Sequence, residues 1–169
     1  MIPEYKLYHG AVLADLVHEL LVPVSIDELS GAGRLSSYVL NGRIGLQIKH
    51  SSQRLHPWSF TFTRQNFAEL LTLRETYAQV YLVLVCHTDG MVCLTLDEVA
   101  ALITVANSEQ AWLRIDRRRG QWYTVNGSGS LPIKRPKGLA ALVEDLNLMG
   151  GTRSQITADS RNVLAGGEG

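Results

Sequence analysis

The dipeptide Asn41-Gly42, set between two runs of strand-forming residues, constrains this chain more than any other feature. Both residues readily take the positive φ angles of a type I′ turn, whose twist matches that of a two-stranded ribbon. Residues 35–40 and 43–49 are therefore predicted to form a β-hairpin. A lone hairpin is marginal in water, so the rest of the chain must cover it. Residues 9–21 place Val12, Leu13, Leu16, Val17 and Leu20 at helical spacing, with Asp15, His18 and Glu19 on the other side and Pro23 as a stop. A short strand follows at residues 24–26.

Beyond the hairpin, residues 58–63 alternate aromatic and hydroxyl side chains, as a half-buried strand does. Residues 64–76 read as a helix with Phe67, Leu70 and Leu71 on one side, and residues 80–86 as an apolar central strand. A turn at residues 87–90 leads to a strand at 91–94. Thr95 and Glu98 have the spacing of a capping box, which opens a helix running to about residue 105. Residues 112–116 and 121–125 bracket Arg117-Arg118-Arg119-Gly120 as a second hairpin, and residues 126–130 read as a flexible loop. Lys137-Gly138 opens a last helix carrying Leu139, Leu142, Val143 and Leu146. The whole predicts one α/β domain over residues 1–149, a mixed central sheet flanked by helices, with a mobile tail over 150–169.

Composition narrows the function. Lys plus Arg and Asp plus Glu are both 16, so the formal net charge is zero. A protein that coats nucleic acid nonspecifically is usually more basic, and any phosphate contact here must come from a local patch. Two cysteines, Cys86 and Cys93, are too few for a disulfide-stapled extracellular domain, so a reducing cytoplasm is expected. The longest strongly apolar stretch, residues 80–86, is far short of the ~20 residues that span a bilayer. A Gly-rich phosphate loop, an HExxH helix, a GxSxG elbow and a Rossmann fingerprint are all missing, which removes several common enzyme classes.

The strand of the first hairpin carries Gln47-Ile48-Lys49, whose period of two puts Gln47 and Lys49 on one face and Ile48 on the other. With the order helix, strand, two hairpin strands, extra strand, helix, strand, residues 8–86 resemble the αβββαβ core of the PD-(D/E)xK nuclease superfamily. The resemblance implies a restriction-endonuclease-like fold that cleaves or binds nucleic acid. It implies Gln47 and Lys49 as the strand signature in its Gln form, and Glu19 as a helix carboxylate with a catalytic and metal-holding role. Carboxylates of that family hold Mg²⁺, which polarises the phosphate, while the Lys stabilises developing charge. The family's strand Asp has no counterpart in residues 35–40; Asp27, beside Glu28, is the candidate that remains for the metal.

Other residues complete the candidate list. Arg54, in the segment from His50 to Trp58, is a candidate phosphate contact, and Trp58 either stacks on a base or starts the next strand and packs inside. Arg117, Arg118 and Arg119, with Arg114 nearby and Lys134, Arg135 and Lys137 further on, form the most basic region. Cys86, His87 and Cys93 lack the spacing of a zinc site and read better as buried thiols. Two functions are open: a Mg²⁺-dependent nuclease-like protein acting on nucleic acid, or a non-catalytic interaction module with a degenerate nuclease-like fold. A homodimer is the expected assembly, because symmetric dimers are the commonest.

Overall fold

The computed structural model describes residues 1–29, 37–103, 110–128 and 132–150, and it is a mixed α+β fold. In chain order the elements are α1 (Glu4–Glu19), β1 (Ile26–Glu28), β2 (Ser37–Leu40), β3 (Ile44–Ser51), β4 (Trp58–Thr63), α2 (Arg64–Thr76), β5 (Gln79–Cys86), β6 (Gly90–Thr95), α3 (Leu96–Leu102), β7 (Gln110–Asp116), β8 (Tyr123–Gly127) and β9 (Ile133–Arg135). A further helix, α4, covers residues 140–150. Among the described residues no helix is long and apolar enough to cross a membrane.

The first hairpin forms as the turn chemistry dictates. Asn41 and Gly42 both have positive φ, 52° and 64°, and Leu40 pairs with Ile44. The Asn41 side chain also accepts from the Ser25 amide at 2.9 Å, which ties the approach to β1 back onto the turn. β3 then pairs in parallel with β5 over eight residues. The resulting sheet has the order β1-β2-β3-β5-β6, antiparallel at every pair except β3–β5. A second, antiparallel sheet has the order β4-β7-β8-β9.

Each face of the five-stranded sheet has its own core. On one side Leu46, Ile48, Tyr81, Val83 and Val85 pack against Val12 and Leu16 of α1 and Leu142 and Leu146 of α4. On the other, Leu82, Leu84 and Leu94 meet Phe60, Leu113 and Val125 of the second sheet, together with Leu70 and Leu73 of α2 and Val99 of α3. β3 and β5 are covered on both faces, so β5 is an unbroken apolar run rather than an alternating one.

Several boundaries differ from the sequence expectation. α1 starts at Glu4, five residues before residue 9; its N-cap, Pro3, makes no side-chain cap hydrogen bond, so the sequence carries no start signal there. It ends at Glu19, with Leu20 already extended, ahead of Pro23. α3 ends at Leu102 with Ile103 already extended; residues 104–105, expected to continue it, lie outside the described residues, as do residues 151–169 of the expected tail, whereas Gly150 belongs to α4. Asn126 and Gly127 belong to β8 rather than to a loop. A Cβ on Gly127 would lie 1.9 Å from the Leu102 carbonyl oxygen, so this glycine answers a close approach of strand and helix end. β9, three residues long, gives too short a pattern to be seen in sequence.

Candidate functional site

The register of β3 sets out the candidate site. Gly45, Gln47, Lys49 and Ser51 line the face that α2 covers, and the bare Gly45 lets Leu73 of α2 approach to 3.3 Å from where a Cβ would sit. Ser37 of β2 stands directly opposite Gln47. Both are buried, Gln47 being 1% exposed, so the strand face around them is internal rather than solvated. Among the described residues neither Gln47 Oε1 nor Ser37 Oγ has a hydrogen-bond partner. Such orphaned polar atoms inside a protein are uncommon.

Lys49 reaches from the same face to the start of α2. Its Nζ donates to Asn66 Oδ1 at 3.3 Å and lies 4.8 Å from the centre of the Phe62 ring. Asn66 is held for this role by the helix cap: its Oδ1 also accepts from the Thr63 amide, while its own amide donates to Thr63 Oγ1. Glu69, one turn further along α2, is buried and acts electrostatically on Lys49. Burial lowers the Lys49 pKa from the ordinary lysine value, and the Glu69 charge opposes that shift. The arrangement supplies one partly desolvated ammonium, one buried amide, one hydroxyl and one carboxylate.

The carboxylates proposed from sequence are not brought to Lys49. α1 packs on the opposite face of the sheet, where Val12 and Leu16 meet Leu46 and Ile48. Glu4, at the first turn of α1, accepts a hydrogen bond from Ser52 just past the end of β3. Glu19 lies 15 residues further along the helix, about 22 Å at 1.5 Å per residue, where it is exposed beside Glu144 and Asn147 in an open depression. Asp27 is on the Gly45 row of the sheet, through Val39, and is exposed on the edge strand. Two strand spacings and four residues separate it from Lys49, about 16 Å between backbones. Among the described residues no group of three His, Cys, Asp or Glu side chains could hold a metal ion. Among the described residues, a lysine ammonium beside the Glu69 carboxylate does not fit a Mg²⁺ centre.

The basic candidates divide into two groups. Arg54, in the loop between β3 and β4, is exposed, as are Arg118 and Arg119 in the β7–β8 turn and Lys134 on β9. Arg117 is engaged: its Nε and Nη2 donate to the two Asp89 oxygens at 2.8 and 2.5 Å, and its guanidinium lies over the Tyr123 ring. Tyr123 donates to Asp89 as well. Although burial works against its charge, these donors hold the Asp89 carboxyl below the usual range. Arg135 donates to both Glu98 oxygens, at 2.6 and 3.3 Å. Arg117 and Arg135 thus brace the second sheet against the β5–β6 turn and α3.

Trp58 packs in the core, 3% exposed, with its indole N–H donating to the Gln53 carbonyl, which leaves no face for a base. Cys86 and Cys93 are free and buried on opposite faces of the sheet, each thiol pushed up to about 12 chiefly by burial, so they cannot share an ion. A feature that sequence reasoning missed sits at the start of α1. His9 Nδ1 hydrogen-bonds the Tyr38 hydroxyl at 2.8 Å, and Tyr8 stacks on His50 with ring centres 4.6 Å apart. Its signal is the cluster Tyr5, Tyr8 and His9, legible only once the helix is known to begin at Glu4. Comparison with protein-family models, with curated proteins and with solved structures returns no match to this chain.

Proposed function

We propose that this protein is a nuclease-like domain that binds nucleic acid without cutting it. The observation that carries the non-catalytic reading is the environment of Lys49: Asn66 and Phe62 hold the side chain, and among the described residues Glu69 is the carboxylate that acts on it. Element order supports the nuclease-like part, since α1-β1-β2-β3-α2-β5 follows the αβββαβ pattern with β4 inserted. Exposed Arg54, Arg118, Arg119 and Lys134 support a contact with phosphates on a chain of zero net charge. Free, buried thiols at Cys86 and Cys93 suit a reducing cytoplasm, and a homodimer is the assembly to look for by light scattering.

The test incubates wild type and Lys49→Ala with single- and double-stranded DNA and RNA in Mg²⁺ or Mn²⁺, and measures binding in parallel over a salt series. Circular dichroism checks that the variant is folded. The expected result is binding that weakens steeply as salt rises, with every substrate left intact. Cleavage by wild type that is lost in Lys49→Ala would overturn the non-catalytic reading and make Lys49 a catalytic residue. Glu69, buried beside Lys49, is the observation that favours that second reading. Failure to bind any nucleic acid would overturn the proposal as a whole.

A further inference from the structure

The second sheet keeps one face for the core and leaves the other uncovered among the described residues. Alternation along its strands puts Phe60, Leu113, Ile115, Tyr123 and Val125 inside. Outside stand Ser59, Thr61, Trp112, Arg114, Thr124 and Lys134. The outer residues form rows across the strands. Ser59 is opposite Arg114, which is opposite Asn126; Asp116 is opposite Thr124, which is opposite Lys134.

Two indoles stand at the ends of this surface. Trp112 lies one residue past the Leu113–Gly127 pair and is 45% exposed; Trp122 lies one residue before Tyr123 and is 61% exposed. The six residues of β8 and its flanks between these levels span about 20 Å. Arg114 and Lys134 fall between the indoles, and Arg118 and Arg119 fall in the turn just beyond. The one carboxylate on these rows, Asp116, sits 3.6 Å from Arg114 and 3.7 Å from His56. Cations outnumber it, in a chain whose net charge is zero.

We infer that this face binds single-stranded nucleic acid, with bases stacked on Trp112 and Trp122 and phosphates held by Arg114, Lys134, Arg118 and Arg119. Every base offers a π face to an indole, but only when it is out of a duplex, so the arrangement selects unpaired strands. A protein partner would call for a contiguous apolar patch, whereas here isolated indoles stand among hydroxyls and charges. The inference rests on the nucleic-acid reading above and assigns it a surface and a strandedness.

The experiment titrates the full chain with a fluorescein-labelled oligothymidylate of about 15 nucleotides, within the usual span of one single-strand module, and with a duplex of the same length. Wild type, Trp112→Ala, Trp122→Ala, Trp112→Phe and Arg114→Ala are compared. Wild type is expected to prefer the single strand. Each Trp→Ala change is expected to weaken that binding fivefold or more, the scale of one lost base–aromatic stack, while Trp112→Phe retains most of it. Arg114→Ala should lower the salt slope by about 0.7, one phosphate contact on a single strand. The substituted side chains are on the surface, and circular dichroism confirms the fold. Undiminished binding in both Trp→Ala variants, or a preference for duplex, overturns this surface while the nucleic-acid reading stands. Failure of wild type to bind either probe overturns both.

Discussion

At the scale of single residues, the groups with the most to lose are titratable ones buried for structural reasons. His9 is buried between Tyr5 and Tyr38, and its pKa is lowered below the ordinary 6.5 by burial first and then by the nearby His50. In the unfolded chain the imidazole takes up a proton near pH 6.5, whereas in the folded chain it does so only at lower pH. Between the two values the unfolded state holds more protons, so stability falls as pH drops through that window. Thermal melts from pH 7 to pH 5 should show a steeper loss of Tm for wild type than for His9→Phe; parallel curves would remove His9 from the account. Asp89 has the opposite logic. With Arg117 and Tyr123 donating to it, Asp89→Ala is expected to cost on the order of 2 kcal/mol in urea unfolding, the scale of a hydrogen bond to a charged group. Because the change releases Arg117, it should leave nucleic-acid affinity unreduced; a marked loss would mean that Asp89 orders the binding surface.

At the scale of elements, local signals were strong where side chain and backbone agree within a few residues. Residues 58–63 and 64–76 were legible to the residue, since the alternation Trp58-Ser-Phe-Thr-Phe-Thr63 ends where Thr63 caps α2. That cap is a box closed by Asn66, which also holds Lys49, so Thr63→Ala should cost about 1 kcal/mol of stability and loosen the Lys49 contact. A melt with no change would show that α2 is fixed by Leu70 and Leu73 alone. Gly127 illustrates the reverse case. In sequence it is part of a Gly/Ser-rich loop, yet its Cα faces the last carbonyl of α3. Gly127→Ala should therefore cost about 1–3 kcal/mol, as overpacking does, rather than the small gain expected for a glycine-to-alanine change in a free loop. No loss of stability in that variant would mean that α3 and β8 are not in contact in solution.

At the scale of the whole molecule, β5 carries both cores, with Leu82 and Leu84 on one face and Tyr81 and Val83 on the other. The Tyr81 hydroxyl also donates to Asp145 of α4; burial first, and then this hydrogen bond, raise its pKa. Helices and sheets that share a strand in this way should unfold together. Far-ultraviolet circular dichroism and the tryptophan emission of a Trp112→Phe/Trp122→Phe variant, which leaves the buried Trp58 as the sole indole, are expected to give coincident urea transitions, and separated midpoints would show that the second sheet is an independent unit. The sequence by itself determined the α/β class, the Asn41-Gly42 hairpin, the Thr95–Glu98 capping box of α3 and the shared face of Gln47 and Lys49, because turn angles, caps and a period of two are set within a few bonds. Only the tertiary structure decided that this face is internal, that Glu19 and Asp27 stand away from Lys49, that Glu69 stands near it, and that Arg117 and Arg135 are already paired. Those outcomes depend on which layer covers which side of the sheet, and packing between residues far apart in the chain, such as Lys49 with Asn66 and Asp89 with Arg117, leaves no local pattern to read.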